Sequence, residues 1–268
     1  MLKQRNLEEL DLLMKNREVG SETILSKELL DDIEIEHDLT KYTKVVEVTD
    51  GEGTYAYMGL EDTDLPSVPE LEKGTDPLGI NIKDVPYEIK TYRGALRIST
   101  ELIQDFEDNQ IDYGEMLAEF SKQVDVNTKN REIIALLKQA KQKAVATTDE
   151  LITHVNTDFL SAYDIKLFLS SSFYNLLDQD ELIEYKDGLA LFKGKEVIKI
   201  DDNKLGAEGD FVGFVGDLER YLHLFDRQFI SLKFASHTDF SQPLAIATRF
   251  DCQITDNTAG SFVTYSQA

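Results

Sequence analysis

Between residues 111 and 144 the apolar positions recur at the spacing of one helix face. Leu117, Phe120, Val124, Ile134, Leu137 and Lys141 follow three- and four-residue steps, interrupted at Asn127 and Arg131. The stretch holds no proline and one glycine, Gly114. Asp112 with Glu115 three positions later fits a capping box, in which each side chain satisfies an orphan backbone donor. The pattern predicts a helix over 111–144, about 50 Å long at 1.5 Å per residue. The interruptions break any sustained heptad seam, so the helix reads as a half-solvated strut lying across a sheet.

Elsewhere the period changes. Leu7, Leu10 and Met14 predict a short amphipathic helix ended by Gly20. KVVEV and TYAYMG alternate on either side of DGEG, the pattern of a hairpin. Residues 60–79 contain Pro66, Pro69 and Pro77 with two glycines, which excludes a compact helix or a central strand. Between Val46 and Ile89 stand eleven acidic residues and two lysines, so this part reads as an extended limb. VPYEIKTYRGALRIS is strand-like, with Gly94 as a candidate bulge. Ser99 is placed to cap the short helix TELIQDF, and Asn109 separates that helix from the long one. Beyond residue 146 strands and helices alternate. Thr147 and Glu150 box the start of a helix ending near Asn156, YDIKLFLS reads as a buried strand, and SSFYNLLDQD as a helix. Two short strands flank Gly194, DFVGFVGD is another strand, LERYLHLFD a helical turn, QFISLKFAS a strand, and PLAIATRFDCQIT a long final strand. The class is α+β, built around a sheet.

Charge and composition narrow the functions. Fifty-one acidic against 28 basic residues give a formal charge of −23, which opposes tight binding to nucleic acid or anionic membrane. The single cysteine, Cys252, excludes an intrachain disulfide framework. No apolar run approaches the roughly 18 residues of a membrane helix, and the first residues, MLKQRNLEELDLLMKN, carry charges throughout, unlike a signal peptide.

Candidate chemistry is sparse. DDIEIEHD, residues 31–38, has the ligand types for a hard cation but lacks the glycine and spacing of a calcium loop, and reads as a solvated acidic face. Asp62 and Asp64 read as a polar loop tip. Gly209, Gly213 and Gly216 lack the lysine and hydroxyl residue of a phosphate loop, and the Phe and Val between them make a strand. His37, His154, His223 and His237 include no i, i+4 pair of zinc-helix spacing. Cys252 reads as a small buried residue, and Ser170, Ser171 and Ser172 as helix-capping residues rather than a nucleophile elbow. No catalytic, cofactor-binding or metal residue is assigned, no cofactor is implied, and the chain is not read as an enzyme.

The order of segments carries more. The run YRGALRISTELIQDFEDNQIDYGEMLAEFSKQVD resembles the major capsid proteins of tailed bacteriophages, the Hong Kong 97-like fold. In that family a strand leads to a short helix, an acidic break and a long spine helix; Ser99, Glu101, Leu102, Asp105 and the helix of 111–144 stand in those places. GDFVGFVGDLERYLHLFDRQFISLKFAS resembles a second family passage, with Gly216, Asp217, Asp226 and Arg227 at its fixed points, and Arg249 and Phe250 fit the C-terminal region.

The resemblance implies an N-terminal arm (1–44), an extended loop overlapping a neighbouring subunit (45–85), and a peripheral domain with the spine helix (86–146). It further implies a mixed α/β axial domain (147–240) and a C-terminal strand returning to the peripheral domain (241–268). It implies a non-enzymatic subunit, assembled in the host bacterial cytoplasm into hexamers and pentamers of an icosahedral virion capsid around double-stranded DNA, which it touches only weakly. A portal protein is implied, and a separate scaffolding protein is expected because only about forty residues precede the loop; a processed chain is the other explanation. Lys73 lies in the loop, but no asparagine partner marks a crosslink. No membrane partner is implied. The alternatives are an encapsulin-like compartment shell and an acidic metal-dependent enzyme using Asp31 and Asp32.

Overall fold

The computed structural model describes residues 7–10, 12, 22–25, 29, 30, 32–58, 82–98, 113–234 and 242–266. Its elements in chain order are β1 (Glu22–Ile24), β2 (Lys44–Glu47), β3 (Glu52–Met58), β4 (Ile82–Glu88), β5 (Lys90–Ile98), α1 (Tyr113–Leu137), β6 (Lys141–Val145), α2 (Thr148–Thr157), β7 (Lys166–Ser170) and α3 (Ser171–Gln179). They continue with β8 (Ile183–Lys186), β9 (Leu189–Phe192), β10 (Lys195–Ile200), α4 (Asp202–Leu205), β11 (Val212–Gly216), α5 (Leu218–Tyr221), β12 (Leu222–Phe234), β13 (Gln242–Ile254) and β14 (Gly260–Tyr265).

Two sheets share the long helix. One is ordered β1-β12-β13-β5, with β2 parallel to β12 along the same edge; the other is ordered β6-β14-β11-β7-β10-β9-β8. Each has its own core. Leu117 and Ala118 of α1 pack with Ile230, Leu232, Leu244 and Ile246 on the first sheet. Ile133, Ile134 and Leu137, about four to five turns further on, join Leu167, Phe168, Phe214 and Val263 of the second. The strut therefore bridges two apolar cores, and burial at both ends fixes its place.

The helix is shorter than its pattern suggests. It stops at Leu137, and Lys141, counted on the helical stripe, opens β6, which runs parallel to β14 from Lys141↔Ser261 to Val145↔Tyr265. No glycine marks the stop. Instead the last-turn carbonyls are taken one by one: Ile134 O accepts from Lys138 N (3.2 Å), Ala135 O from Gln139 Nε2 (3.2 Å) and Leu136 O from Tyr221 Oη (3.1 Å). The stripe is also rotated. Phe120 is 41 % exposed, whereas Ser121, Asp125 and Lys129 are buried. Asp112, Ser99 and the segment 100–111 lie outside the described residues, as do Met14, Gly20, Lys73 and His237.

Four further expectations are corrected. KVVEV and TYAYMG do not pair: β2 joins β12, and β3 pairs antiparallel with β4 from Glu52↔Glu88 to Met58↔Ile82. Pro86 is tolerated because this hairpin is two-stranded and Pro86 faces no ladder beyond Thr54. Gly94 is not bulged, since it stays in register with Ile246; the register shifts lie in β12 at Asp226/Gln228 and Gln228/Ser231. LERYLHLFD is helical only to Tyr221, after which β12 begins. The strand 242–254 is not the last: β14 follows and sits between β6 and β11 in the second sheet. Sheet membership consequently cuts the chain differently from the sequence boundaries: β2, placed in the loop, and β12, placed in the axial segment, both belong to the first sheet, and the C-terminal segment contributes one strand to each. The expected caps at Thr147 and Ser170 hold, with Glu150 reaching back one residue further than in a capping box; Asp112 of the other box lies outside the described residues. Thr147 accepts from Glu150 N, Glu150 accepts from Ala146 N, and Ser170 caps α3 by accepting from Phe173 N.

Candidate functional site

Among the described residues, charge is buried most densely at the middle of α1, between its two cores. Lys129 Nζ lies 2.9 Å from Asp125 Oδ2, one turn back on the same helix, and 2.7 Å from Asp226 Oδ2 on β12. All three are buried. Burial alone would lower the Lys129 pKa, but Asp125 and Asp226 outweigh it and hold it above the ordinary lysine value. Asp226 sits where β12 first slips register, so the ion pair pins the helix to the bulge. Lys129 also lies over the Phe250 ring, which in turn stacks on Tyr92 of β5 at 4.5 Å. One turn of helix thus grips β12, β13 and β5 together. Nothing in the apolar pattern marks Lys129; the only signal is a lysine four residues after an aspartate.

The β3–β4 hairpin is fastened to the first sheet at its root. At the end of the hairpin ladder, where Glu88 pairs with Glu52, buried Asp251 accepts from the Glu88 N–H at 3.0 Å. Lys90 and Gln253 complete that carboxylate at 3.6 and 2.7 Å. Tyr87 stacks on Phe225 at 4.8 Å, and Arg227 Nε donates to the Thr49 carbonyl at 3.0 Å. Tyr57 Oη donates to the Thr255 carbonyl at 2.5 Å. Past the root the hairpin is bare: Met58 and Ile82, the last described residues of its two strands, are 70 % and 62 % exposed.

The residues singled out from sequence disperse into structural roles. In 31–38, Asp31 lies outside the described residues, and Asp38 caps a short turn of 3-10 helix, Leu39–Tyr42, by accepting from Thr40 N. His37 O accepts from Asn130 Nδ2 and Leu39 N donates to Asn130 Oδ1, so this acidic stretch is clasped to α1 by a single amide. Among the described residues no three His, Cys, Asp or Glu side chains gather as metal ligands would. Ser172 pairs with Asp202, not with a base. Cys252 is buried in β13, its thiol pushed up by burial and by Asp251. Asp217, a fixed point of the second family passage, caps α5 and accepts from Asp164 N at 3.0 Å.

Scattered histidines concealed one constellation. His154 Nε2 lies 2.6 Å from Ser261 Oγ, and its Nδ1 lies 2.8 Å from Asp158 Oδ2, which Lys143 also holds at 2.9 Å. That is the connectivity of a nucleophile, a base and an orienting carboxylate. The Lys143 bond, then His154, keeps the Asp158 carboxyl well below the usual range. Ser261, however, is 4 % exposed on β14 with strands on both sides, so no acyl carbon reaches its Oγ without opening the sheet. The trio ties α2 to β14 and β6.

A strut laid across one sheet and rooted in a second, with a two-stranded limb, gives the chain the Hong Kong 97-like fold seen in phage capsid structures. Among solved structures it is similar to the capsid of an empty GTA particle, with a TM-score of 0.65 at 13 % identity over 87 % of this chain and 91 % of that one. It is similar to the satellite phage P4 procapsid that includes the size determination protein, with a TM-score of 0.59 at 10 % identity over 91 % and 99 %. It is also similar to a virus-like particle from Pyrococcus furiosus, with a TM-score of 0.57 at 12 % identity over 96 % and 98 %. No protein-family model and no curated protein matches the chain.

Proposed function

We propose that this chain is the major capsid protein of a tailed bacteriophage, assembling into the hexamers and pentamers of an icosahedral virion shell around double-stranded DNA. The observation that carries this is the fold itself, shared over most of the chain with capsid structures that include the GTA particle and the P4 procapsid. The role is architectural. In this reading α1 and the first sheet form the peripheral domain, the second sheet the axial domain, and the β3–β4 limb overlaps a neighbour. The limb's exposed Met58 and Ile82 favour that role, because apolar side chains on a projecting hairpin have no core of their own to enter. Many modest contacts repeated by symmetry make a closed shell stable without one tight pair. A scaffolding protein and a portal are the partners this role requires, and the charge of −23 keeps contact with packaged DNA weak. No helix among the described residues is long and apolar enough to cross a membrane.

The same fold suits an encapsulin-like compartment, and the virus-like particle match covers 96 % of the chain. Expression followed by negative-stain microscopy and sedimentation tests both. Hollow shells, sheets or ring-shaped capsomers are expected; a stable 30.4 kDa monomer overturns the proposal. Purification of the particles from infected cells with DNA inside selects the phage, and a protein cargo selects the compartment.

A further inference from the structure

At the root of the β3–β4 hairpin lies a cavity of about 310 Å³, walled by Lys44 of β2, Tyr55 and Tyr57 of β3, Arg220 of α5 and His223 of β12. We propose that this cavity receives a carboxylate side chain from a second copy of the chain, held by the Lys44 and Arg220 cations beside the buried His223 ring. The inference rests on the shell-forming reading and goes beyond it by naming a contact and its chemistry.

Three observations converge. His223 is 4 % exposed, and its Nδ1 has no hydrogen-bond partner among the described residues; its neighbours are the rings of Tyr55 at 5.6 Å, Tyr57 at 5.6 Å and Phe225 at 6.4 Å. The buried ring forms an apolar, low-dielectric floor beside the cations, in which their attraction for an anion is strengthened. Second, two cations line the cavity beside this ring. Lys44 Nζ lies over Tyr55, 5.8 Å from the ring centre, and the fields of Lys44 and Arg220 both disfavour a protonated His223. Neither cation forms an ion pair with a carboxylate among the described residues. Third, the two acids at the cavity do not fill the need. Asp256 is committed to Tyr163 Oη at 2.8 Å and to Thr258 Oγ1 at 2.7 Å, and Glu219 is exposed at the rim. The arriving group is therefore an anion. A second copy supplies it readily, because acidic residues outnumber basic ones 51 to 28 over the chain. A carboxylate here would accept from Arg220 and Lys44 as charge-assisted bonds and would fix the limb's root as the neighbour docks.

The test uses the full chain. In a side-chain-resolution reconstruction of assembled shells, a neighbour's Asp or Glu carboxylate is expected within hydrogen-bond reach of Arg220 or Lys44. A cavity filled only by solvent or by the same chain overturns the inference while leaving the shell reading intact; a chain that never assembles overturns both. As an independent measurement, the Lys44→Gln/Arg220→Gln double variant alters only exposed side chains, so folding is retained. It is expected to need about tenfold more subunit to assemble, as the loss of a charge-assisted contact implies. Assembly at the wild-type concentration overturns the inference.

Discussion

Lys129 on α1 and Asp226 on β12, 97 residues apart in the chain, meet at 2.7 Å inside the molecule. Their pairing joins the strut to the strand at the point where that strand slips register. Replacing Lys129 with Met leaves Asp125 and Asp226 buried beside each other. Breaking a buried pair by removing one partner costs about 3–5 kcal/mol, and urea unfolding of unassembled subunits is the measurement. The pH dependence has a definite sign. A lysine whose pKa is raised on folding contributes stability that is complete below its ordinary value of about 10.4 and is lost only as pH climbs above it. The contribution of Lys129 is therefore constant from pH 6 to 9, whereas the Lys129→Met deficit is expected to ease on acidification, as a proton relieves the two carboxylates left buried together; a deficit that grew on acidification would contradict the assignment.

His223 gives the opposite dependence. Burial first, then Lys44 and Arg220, push its pKa down to about 4. The unfolded chain binds a proton at about 6.5 that the folded one refuses until pH 4, so the stabilisation is present above 6.5 and is lost on acidification through that window. The loss is at most about 3 kcal/mol for a shift of this size. In His223→Gln this segment of the stability curve between pH 6.5 and 4 flattens; an unchanged acid limb would show that other groups account for it.

The Ser261, His154 and Asp158 trio makes a chemical prediction. Although the connectivity is that of an acyl-transfer triad, the buried Oγ has no approach. Native subunits are expected to resist a fluorophosphonate probe, and labelling of Ser261 that disappears in His154→Ala would overturn the structural role. Ser261→Ala should cost about 1–3 kcal/mol, because the buried His154 Nε2 loses its partner.

Local signals and long-range pairings fared differently in the sequence. Thr147 with Glu150 and Ser170 before Phe173 satisfy donors within three residues, so α2 and α3 were legible where they begin. The partner of β3 was not. Its ladder lies about thirty residues on, at Val85 and Tyr87, and the nearer alternating run belongs to another sheet. The end of α1 was hidden for a similar reason: Tyr221 Oη, 85 residues on, takes the Leu136 carbonyl in its last turn, where a glycine would have been recognisable. Candidate site residues were hardest. Lys129 and Asn130 sit where the apolar stripe fails, and an apolar pattern records them as solvent-facing. Their meaning lies in Asp226 and in the backbone at His37 and Leu39, more than ninety residues away.

The glycines of DFVGFVGD are explained by close packing, which yields the last prediction. Gly216 pairs with Gly260 across β11 and β14. A Cβ on Gly216 would lie 2.3 Å from the Ala259 carbonyl oxygen and 2.5 Å from Gly260 Cα. Both atoms are backbone, and the Ala259 oxygen is fixed by the Asp217 N–H at 2.8 Å, so the clash cannot be relieved by a rotamer change. Overpacking of this kind costs about 1–3 kcal/mol, and Gly216→Ala belongs at the upper end because relief requires the strands to separate. Gly94→Ala is the control: nothing lies within 4 Å of its Cβ, it is exposed on β5, and its effect should stay within about 0.5 kcal/mol. Urea midpoints of the two variants, measured side by side, decide the matter. If they coincide, the space at Gly216 is not limiting and its neighbours yield more easily than their hydrogen bonding implies.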